Sequence, residues 1–421
     1  MKKNYFLLAL TLVTSASFAQ KVLLVNGGQF GNSQENANVV IYDTQSQNYS
    51  VIDTIHTQSV QDILVDSANA IAYVAAQDSI ISYDLNNEQR IAANSFQGVS
   101  TKTLALHTSG LLVGNWYGQT TNNLQLYNSS TLALIDTFPA VTKGVNSILV
   151  HRNDVYVVQN EQTSSFTDTL GYVLQLDITT RNIIDTIVPT GYTEGMGQLL
   201  KKSDNSGFYV LNSGTNTISS YDFTTQSISN TAIALDFSVG STSNYDQHQD
   251  TLFVRRSNGI GSINLNGLSI IDSLIIDTVV TAFTYDQLNS NFYLTQTDFF
   301  SYRKGGIYNR QGSKIDTFMV GYSPEVIEMY YNTTVGMNEV EFQKVNLTLY
   351  PNPAQEYFKL EWEEIENVVD LEIYNQLGAL VYVENDFDLS KSVALNNMNK
   401  GIYFVTIRSD EKLAIHKLIV N

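Results

Sequence analysis

The chain has 421 residues, too many for one ordinary core. Of these, 43% are hydrophobic and 15% charged, the balance of a folded, polar-surfaced protein rather than a disordered one. A formal charge of −18 repels a phosphate backbone and argues against nucleic-acid binding. With no cysteine, a thiol nucleophile, a Cys-ligated metal, any disulfide and an N-terminal lipid anchor are excluded.

Residues 1–19 read as a signal peptide. Lys2 and Lys3 give the positive start, Tyr5 to Val13 the apolar run, and Ser17-Phe18-Ala19 the small residues of a cleavage site. That run is too short to span a bilayer, and no later stretch approaches about 18 apolar residues, so no transmembrane segment is expected.

From residue 20 to residue 331 one element recurs in seven copies. An alternating strand ends in a Tyr-Asp-like pair, a polar turn follows, and a second strand often ends in Ile-Asp-Thr. The copies begin at Tyr42-Asp43 with Ile52-Asp53-Thr54, then Tyr83-Asp84 with a degenerate second strand, then Tyr127-Asn128 with Ile135-Asp136-Thr137. Leu176-Asp177 with Ile184-Asp185-Thr186, Tyr221-Asp222, Ile263-Asn264 with Ile271-Asp272-Ser273, and Tyr308-Asn309 with Ile315-Asp316-Thr317 complete them. A further strand precedes each copy, such as Val22 to Val25 or Phe208 to Leu211, and an apolar segment such as Gln61 to Val65 lies before most of those. The period of about 44 residues is that of a four-stranded propeller blade.

The first unit lacks its innermost strand, whereas Val326 to Tyr331 has no blade after it. The segment is therefore predicted to pair beside Val22 to Val25 and close the ring, removing open sheet edges. The many Tyr and Ile residues are expected to pack blade against blade.

The repeat resembles the YVTN/YncE-like seven-bladed propellers. The turn Asn26-Gly27-Gly28-Gln29-Phe30-Gly31, followed by Asn36-Ala37-Asn38, is also similar to the opening of a bacterial surface-propeller family. Those resemblances imply, as alternatives, lactonase-like hydrolysis or capture of a corrinoid (vitamin B12) beside an outer-membrane transporter. For the hydrolase, Glu161, Glu194 and Arg256 would have to converge within hydrogen-bond reach.

Residues 332–344 read as a linker. Residues 345–421 change register into short strands around Leu347-Thr348-Leu349-Tyr350-Pro351-Asn352-Pro353, Leu371 to Asn375, Ala379 to Tyr382, Lys400 to Val405 and Ala414 to Val420, a small Ig-like β-sandwich. The YPNP turn, the Tyr-Asn-x-x-Gly turn, the Gly-Ile-Tyr-Phe strand and the basic last strand resemble the type A C-terminal sorting domain of type IX secretion. This resemblance implies contact with that machinery and a cell-surface or secreted destination. The predicted fold class is thus all-β, a seven-bladed β-propeller followed by a sandwich.

Catalytic signals are missing. The five histidines show no metal-ligand spacing, and neither a Gly-x-Ser-x-Gly elbow nor an EF-hand loop occurs, so neither cofactor nor metal is predicted. Triplets such as Asp53-Thr54-Ile55, Asp185-Thr186-Ile187 and Asp272-Ser273-Leu274 resemble a bacterial O-glycosylation sequon, although the blade register alone also produces them.

The candidate ligand-binding residues lie on the loops between second and third strands and between blades, which share one face. They are Phe30, Trp116, Tyr117, Asn160, Glu161, Tyr192, Arg255, Arg256, Phe300 and Tyr302. Aromatic rings give contact area at low ordering cost, amides give direction, and arginines, scarce here, can hold an anion bidentately. The expected function is non-catalytic capture of a small molecule, or adhesion to a glycan or surface protein.

Overall fold

The computed structural model describes residues 20–331 and 347–421, except 97–98, 118–119, 163–167, 190–194, 239–243, 363–367, 376–379, 396–397 and 410–411. The expected signal peptide and linker lie outside the described residues. The chain divides into two compact units, one ending at Thr334 and the other starting at Val335.

The first unit contains seven four-stranded antiparallel sheets. In six of them the strands follow chain order from the innermost outward, the innermost being Asp62–Asp66, Ser100–His107, Val145–His151, Met196–Lys201, Tyr245–His248 and Ala282–Asp286. In the first blade Gln20–Asn26, Ala37–Asp43 and Tyr49–Ile55 are joined by the unit's last strand, Pro324–Tyr331. Val22 lies opposite Met329, Leu24 opposite Ile327 and Val25 opposite Val326. Pro324–Tyr331 also packs against Ala282–Asp286 and Asp62–Asp66, so the ring closes as the orphan segments predict.

Period-two alternation builds the core. Leu23, Val25, Val39 and Ile41 face the second blade, where they meet Ile63, Val74 and Tyr83. Their neighbours Val22, Leu24, Val40 and Tyr42 face the seventh and meet Tyr293, Ile307 and Phe318. The remaining interfaces each hold a comparable cluster, giving seven apolar layers for seven blades. Tyr73, Tyr83, Tyr127, Tyr221 and Tyr330 are fully enclosed in them.

Both halves of the repeat motif have local causes. The acid or amide after the Tyr caps the turn between third and fourth strands: Asp43 accepts from the N–H groups of Gln45 and Ser46, Asp177 from Thr179 and Thr180, Asp222 from Thr224 and Thr225. These bonds hold the Asp43, Asp177 and Asp222 carboxyls below the usual range. In the fourth strand the Ile of Ile-Asp-Thr is a β-bulge. Leu126 pairs with Asp136 but Tyr127 with Leu134, which leaves Ile135 over; Ile184 and Ile315 stand out in the same way. The Asp after the bulge then accepts its successor's N–H at 2.7–2.8 Å, in Asp53, Asp136, Asp185 and Asp316. Bulges of this kind twist an outer edge strand away from further pairing.

In the second unit a three-stranded sheet and a four-stranded sheet share one core, in which Leu349, Phe358, Leu360 and Val393 meet Leu371, Ile373, Val405, Ile407 and Leu418. The YPNP turn is strapped to the last strand. Asn352 donates from Nδ2 to the Lys417 carbonyl at 2.7 Å and accepts the Ile419 N–H at 2.9 Å. Among the described residues no helix is long and apolar enough to cross a membrane.

Candidate functional site

Innermost strands enter from the inter-blade connections, so those connections and the second-to-third loops share the upper face. The first and seventh blades meet there through backbone. Phe30 N–H donates to the Phe299 carbonyl at 2.9 Å, and Gln29 Nε2 to the Phe300 carbonyl at 3.0 Å. Gln58 Nε2 ties the loop down through the carbonyls of Gln29 and Asn32. Gly28 has φ +80°, and a Cβ there would lie 2.2 Å from the Glu35 carbonyl oxygen, so the turn requires glycine. The tie leaves Phe30 and Phe300 edge to face, with centroids 6.1 Å apart, 66% and 57% exposed. The aromatic pair therefore lies in solvent rather than in the core.

Across the ring, Trp116 is 42% exposed. Gly144 from the next connection lies beneath it, where a Cβ would meet the Trp116 carbonyl at 2.5 Å. The Lys102 ammonium sits 5.5 Å from the indole centroid. Lys102 belongs to an innermost strand; enclosure pushes its pKa down, while the carboxylate of Asp62 opposes that shift. Next to Trp116, Asn115 is completely buried and neither polar atom of its amide has a partner among the described residues.

The arginines divide sharply. Arg256 donates to Asp236 Oδ1 and to the Ser273 carbonyl, so it staples the sixth blade together and holds the Asp236 carboxyl far below the usual range. Arg303 is paired with Asp298, which also caps the Phe300 and Ser301 N–H groups. Arg255, the last residue of its strand, donates from one terminal nitrogen to the Thr281 carbonyl at 3.0 Å. Its Nε is buried without a partner, no carboxylate pairs with it among the described residues, and burial pushes its pKa down. Unsatisfied amide oxygens of Asn26 and Asn212 mark the same strand end in the first and fifth blades.

The other candidates lie as follows. Asn160 is turned inward, donating to the Met196 carbonyl at 2.8 Å, and so ties its blade to the next. Glu161 pairs with Lys143 at 2.9 Å and accepts from the Tyr172 hydroxyl at 3.4 Å. Tyr302 packs edge to face on Tyr322 at 5.5 Å and is 44% exposed. The Tyr117 side chain and the whole of Tyr192 and Glu194 lie outside the described residues. Glu161 and Arg256 are thus engaged with separate partners and make no bond to each other.

The innermost strands carry polar and charged side chains that sequence patterning did not single out. Asp62 Oδ2 accepts the Leu104 N–H at 2.9 Å, Ser147 Oγ the Leu199 N–H at 3.1 Å, and Asp246 Oδ2 the Tyr285 N–H at 2.7 Å. Each is a strut from one blade's innermost strand to the next. Glu328 stands in the apolar strand Val326-Ile327-Glu328-Met329, where a lone acid was the available signal.

A closed ring of blades with polar struts inside and aromatic loops above defines a β-propeller, and no α-helix occurs among the described residues. Residues 348–421 match the secretion system C-terminal sorting domain, which marks the chain as exported by type IX secretion to the cell surface or the medium. Similar solved structures include a functionally unknown protein from Desulfotomaculum acetoxidans, 12% identical with TM-score 0.53 over 74% of this chain and 99% of that one. Another is AztD from Citrobacter koseri, 9% identical with TM-score 0.50 over 74% and 98%. Likeness at such identity shows the fold alone. No curated protein matches the chain.

Proposed function

We propose that this exported propeller is a non-catalytic binding protein which captures, at its upper face, a ligand carrying an anionic group. Residues 1–19 are removed on export, residues 20–331 do the binding, and residues 345–421 address the protein through the type IX machinery.

The observation that carries the reading is Arg255. A guanidinium left without a carboxylate in a partly enclosed site is costly unless something anionic reaches it. Arg256 and Arg303 are neutralised by their own aspartates, so the difference between the three is specific. Asn115 beside Trp116 adds an unused donor and acceptor, and Trp116 with Lys102 beneath offers a flat face for a ring.

The test is a thermal-shift screen of carboxylates, phosphate monoesters, acidic sugars and cobalamin, since a true ligand raises the melting point by mass action. A hit that Arg255→Gln abolishes supports the reading. A hit indifferent to Arg255 but lost with Phe30→Ala and Phe300→Ala points instead to adhesion through the exposed aromatic pair.

A further inference from the structure

At the opposite end of the ring, where the innermost strands turn back into second strands, lies a cavity of about 210 Å³. Asp246, Gln247 and His248 of the sixth blade line it, with Thr284, Tyr285 and Gln287 of the seventh and Glu328 and Tyr331 of the closing strand. It owes nothing to the upper-face loops, and the reading above can fail without affecting it.

Its two carboxylates differ in kind. Asp246 is held by the Tyr285 N–H and by Thr284 Oγ1 at 3.1 Å, the strut role seen in other blades. Glu328 has no such role. It is half-buried, and its side chain lines the cavity. The bond it accepts comes from its own neighbour, the Met329 N–H, at 3.2 Å. No lysine or arginine pairs with either acid among the described residues. Two uncompensated acids on separate blades facing one small cavity are a feature that folding alone does not call for, since an apolar residue at position 328 would pack at less cost.

We propose that this cavity is a binding site for a small organic cation, specifically a primary alkylammonium. Three N–H donors on a compact cation match Glu328, the free oxygen of Asp246 and the Gln247 amide, while the rings of Tyr285 and Tyr331 line the rest of the cavity. A bare metal ion fits less well, because no group of three or more His, Asp or Glu ligands converges among the described residues. His248 is already engaged through Nδ1 with Gln287 Oε1 at 3.0 Å.

Protonation supports the geometry. Burial pushes Glu328 up to about 8 and Asp246 to about 6. The charged and titratable groups facing Glu328 are Asp246 and Tyr245 on the sixth blade, Asp62 on the second and Tyr331 on its own strand; Asp286 faces Tyr331 from the seventh. Lys102 approaches Asp62 rather than Glu328. Near neutrality Glu328 therefore holds a proton, which a bound ammonium displaces.

The experiment is isothermal titration of the full chain with 1,4-diaminobutane at pH 8.5 and pH 5, in two buffers of different ionisation heat. Saturable binding is expected at pH 8.5, at least tenfold weaker at pH 5, with protons released at intermediate pH. Glu328→Gln, an isosteric change that keeps the fold by near-ultraviolet circular dichroism, should weaken it at least tenfold. Absence of binding at pH 8.5, or equal binding by Glu328→Gln, overturns the proposal. Equal binding of sodium at matched ionic strength overturns it as well, by showing a field effect only.

Discussion

The hydroxyl of Tyr83 in the second blade donates to Asp53 Oδ2 of the first at 2.8 Å. Tyr83 belongs to one half of the repeat motif and Asp53 to the other, so the two halves recognise each other across the blade interface rather than within one blade. Arg90 completes the contact with the same oxygen. Elsewhere Tyr42 feels the charge of Asp316, and Tyr221 that of Asp185, which raises both phenols further beyond what burial does.

Removing the phenolic hydroxyl with Tyr83→Phe should cost about 1 kcal/mol, the usual worth of one hydrogen bond. Asp53→Ala should cost more, because Tyr83, Arg90 and the Thr54 N–H all lose their acceptor. Urea unfolding of both single variants and the double variant checks this; a coupling energy near zero would mean that the two motif halves act independently.

Ring closure predicts a second effect. Ile327 is fully buried opposite Leu24, in the layer shared with the seventh blade. Ile327→Ala should destabilise the protein by about 2–5 kcal/mol, as large-to-small core changes do. The measurement is again the urea midpoint.

Two glycines of the upper loop should behave differently. Gly28 and Gly31 both have positive φ, but a Cβ at Gly31 meets open space whereas one at Gly28 strikes the Glu35 carbonyl. Gly31→Ala should therefore cost about 1 kcal/mol of backbone strain. Gly28→Ala should in addition displace Phe30 from Phe300, seen as loss of any ligand response that depends on that pair.

Stability should fall with rising pH. Glu328 and Asp246 have folded pKa values above their ordinary ones, at about 8 and about 6. The folded state therefore binds more protons than the unfolded state from about pH 4 to 8, and stability declines through that window. Asp236 and Asp298 have depressed values, so their contribution is present above about pH 4 and is lost as pH drops through the acid range. The melting point should peak near pH 4–5 and drop by several degrees by pH 8.5. Glu328→Gln should flatten the alkaline side; an unchanged slope would assign the decline elsewhere.

Much of the fold was legible in the sequence because propeller physics is repetitive. The Tyr-Asp caps, the alternation of Val22 to Val25 and the orphan strand at Val326 all register in spacing. The bulges were not: nothing in the spacing sets Ile135 or Ile184 apart from its neighbours, and only pairing reveals that they are extra. The site was less legible still. Arg255 and Arg256 are adjacent and look equivalent, yet the end of a pleated strand sends one to Asp236 and leaves the other without a carboxylate. Asn160 read as a surface amide because its blade-bridging acceptor, Met196, is 36 positions away. Glu328, Asp246 and Lys102 are inconspicuous in the sequence, because a lone charge in a short strand acquires meaning only when the innermost strands are set around one axis.

The proposed capture depends on Arg255 as the group that holds the ligand. Trp116 and Trp362 are the chain's two tryptophans, so Trp362→Phe leaves Trp116 as the single reporter in the proposed mouth. Fluorescence titration of that variant with the anionic ligands of the screen should give a saturable change, and adding Arg255→Gln should weaken it at least tenfold. A titration curve that Arg255→Gln leaves in place would contradict the proposed mouth.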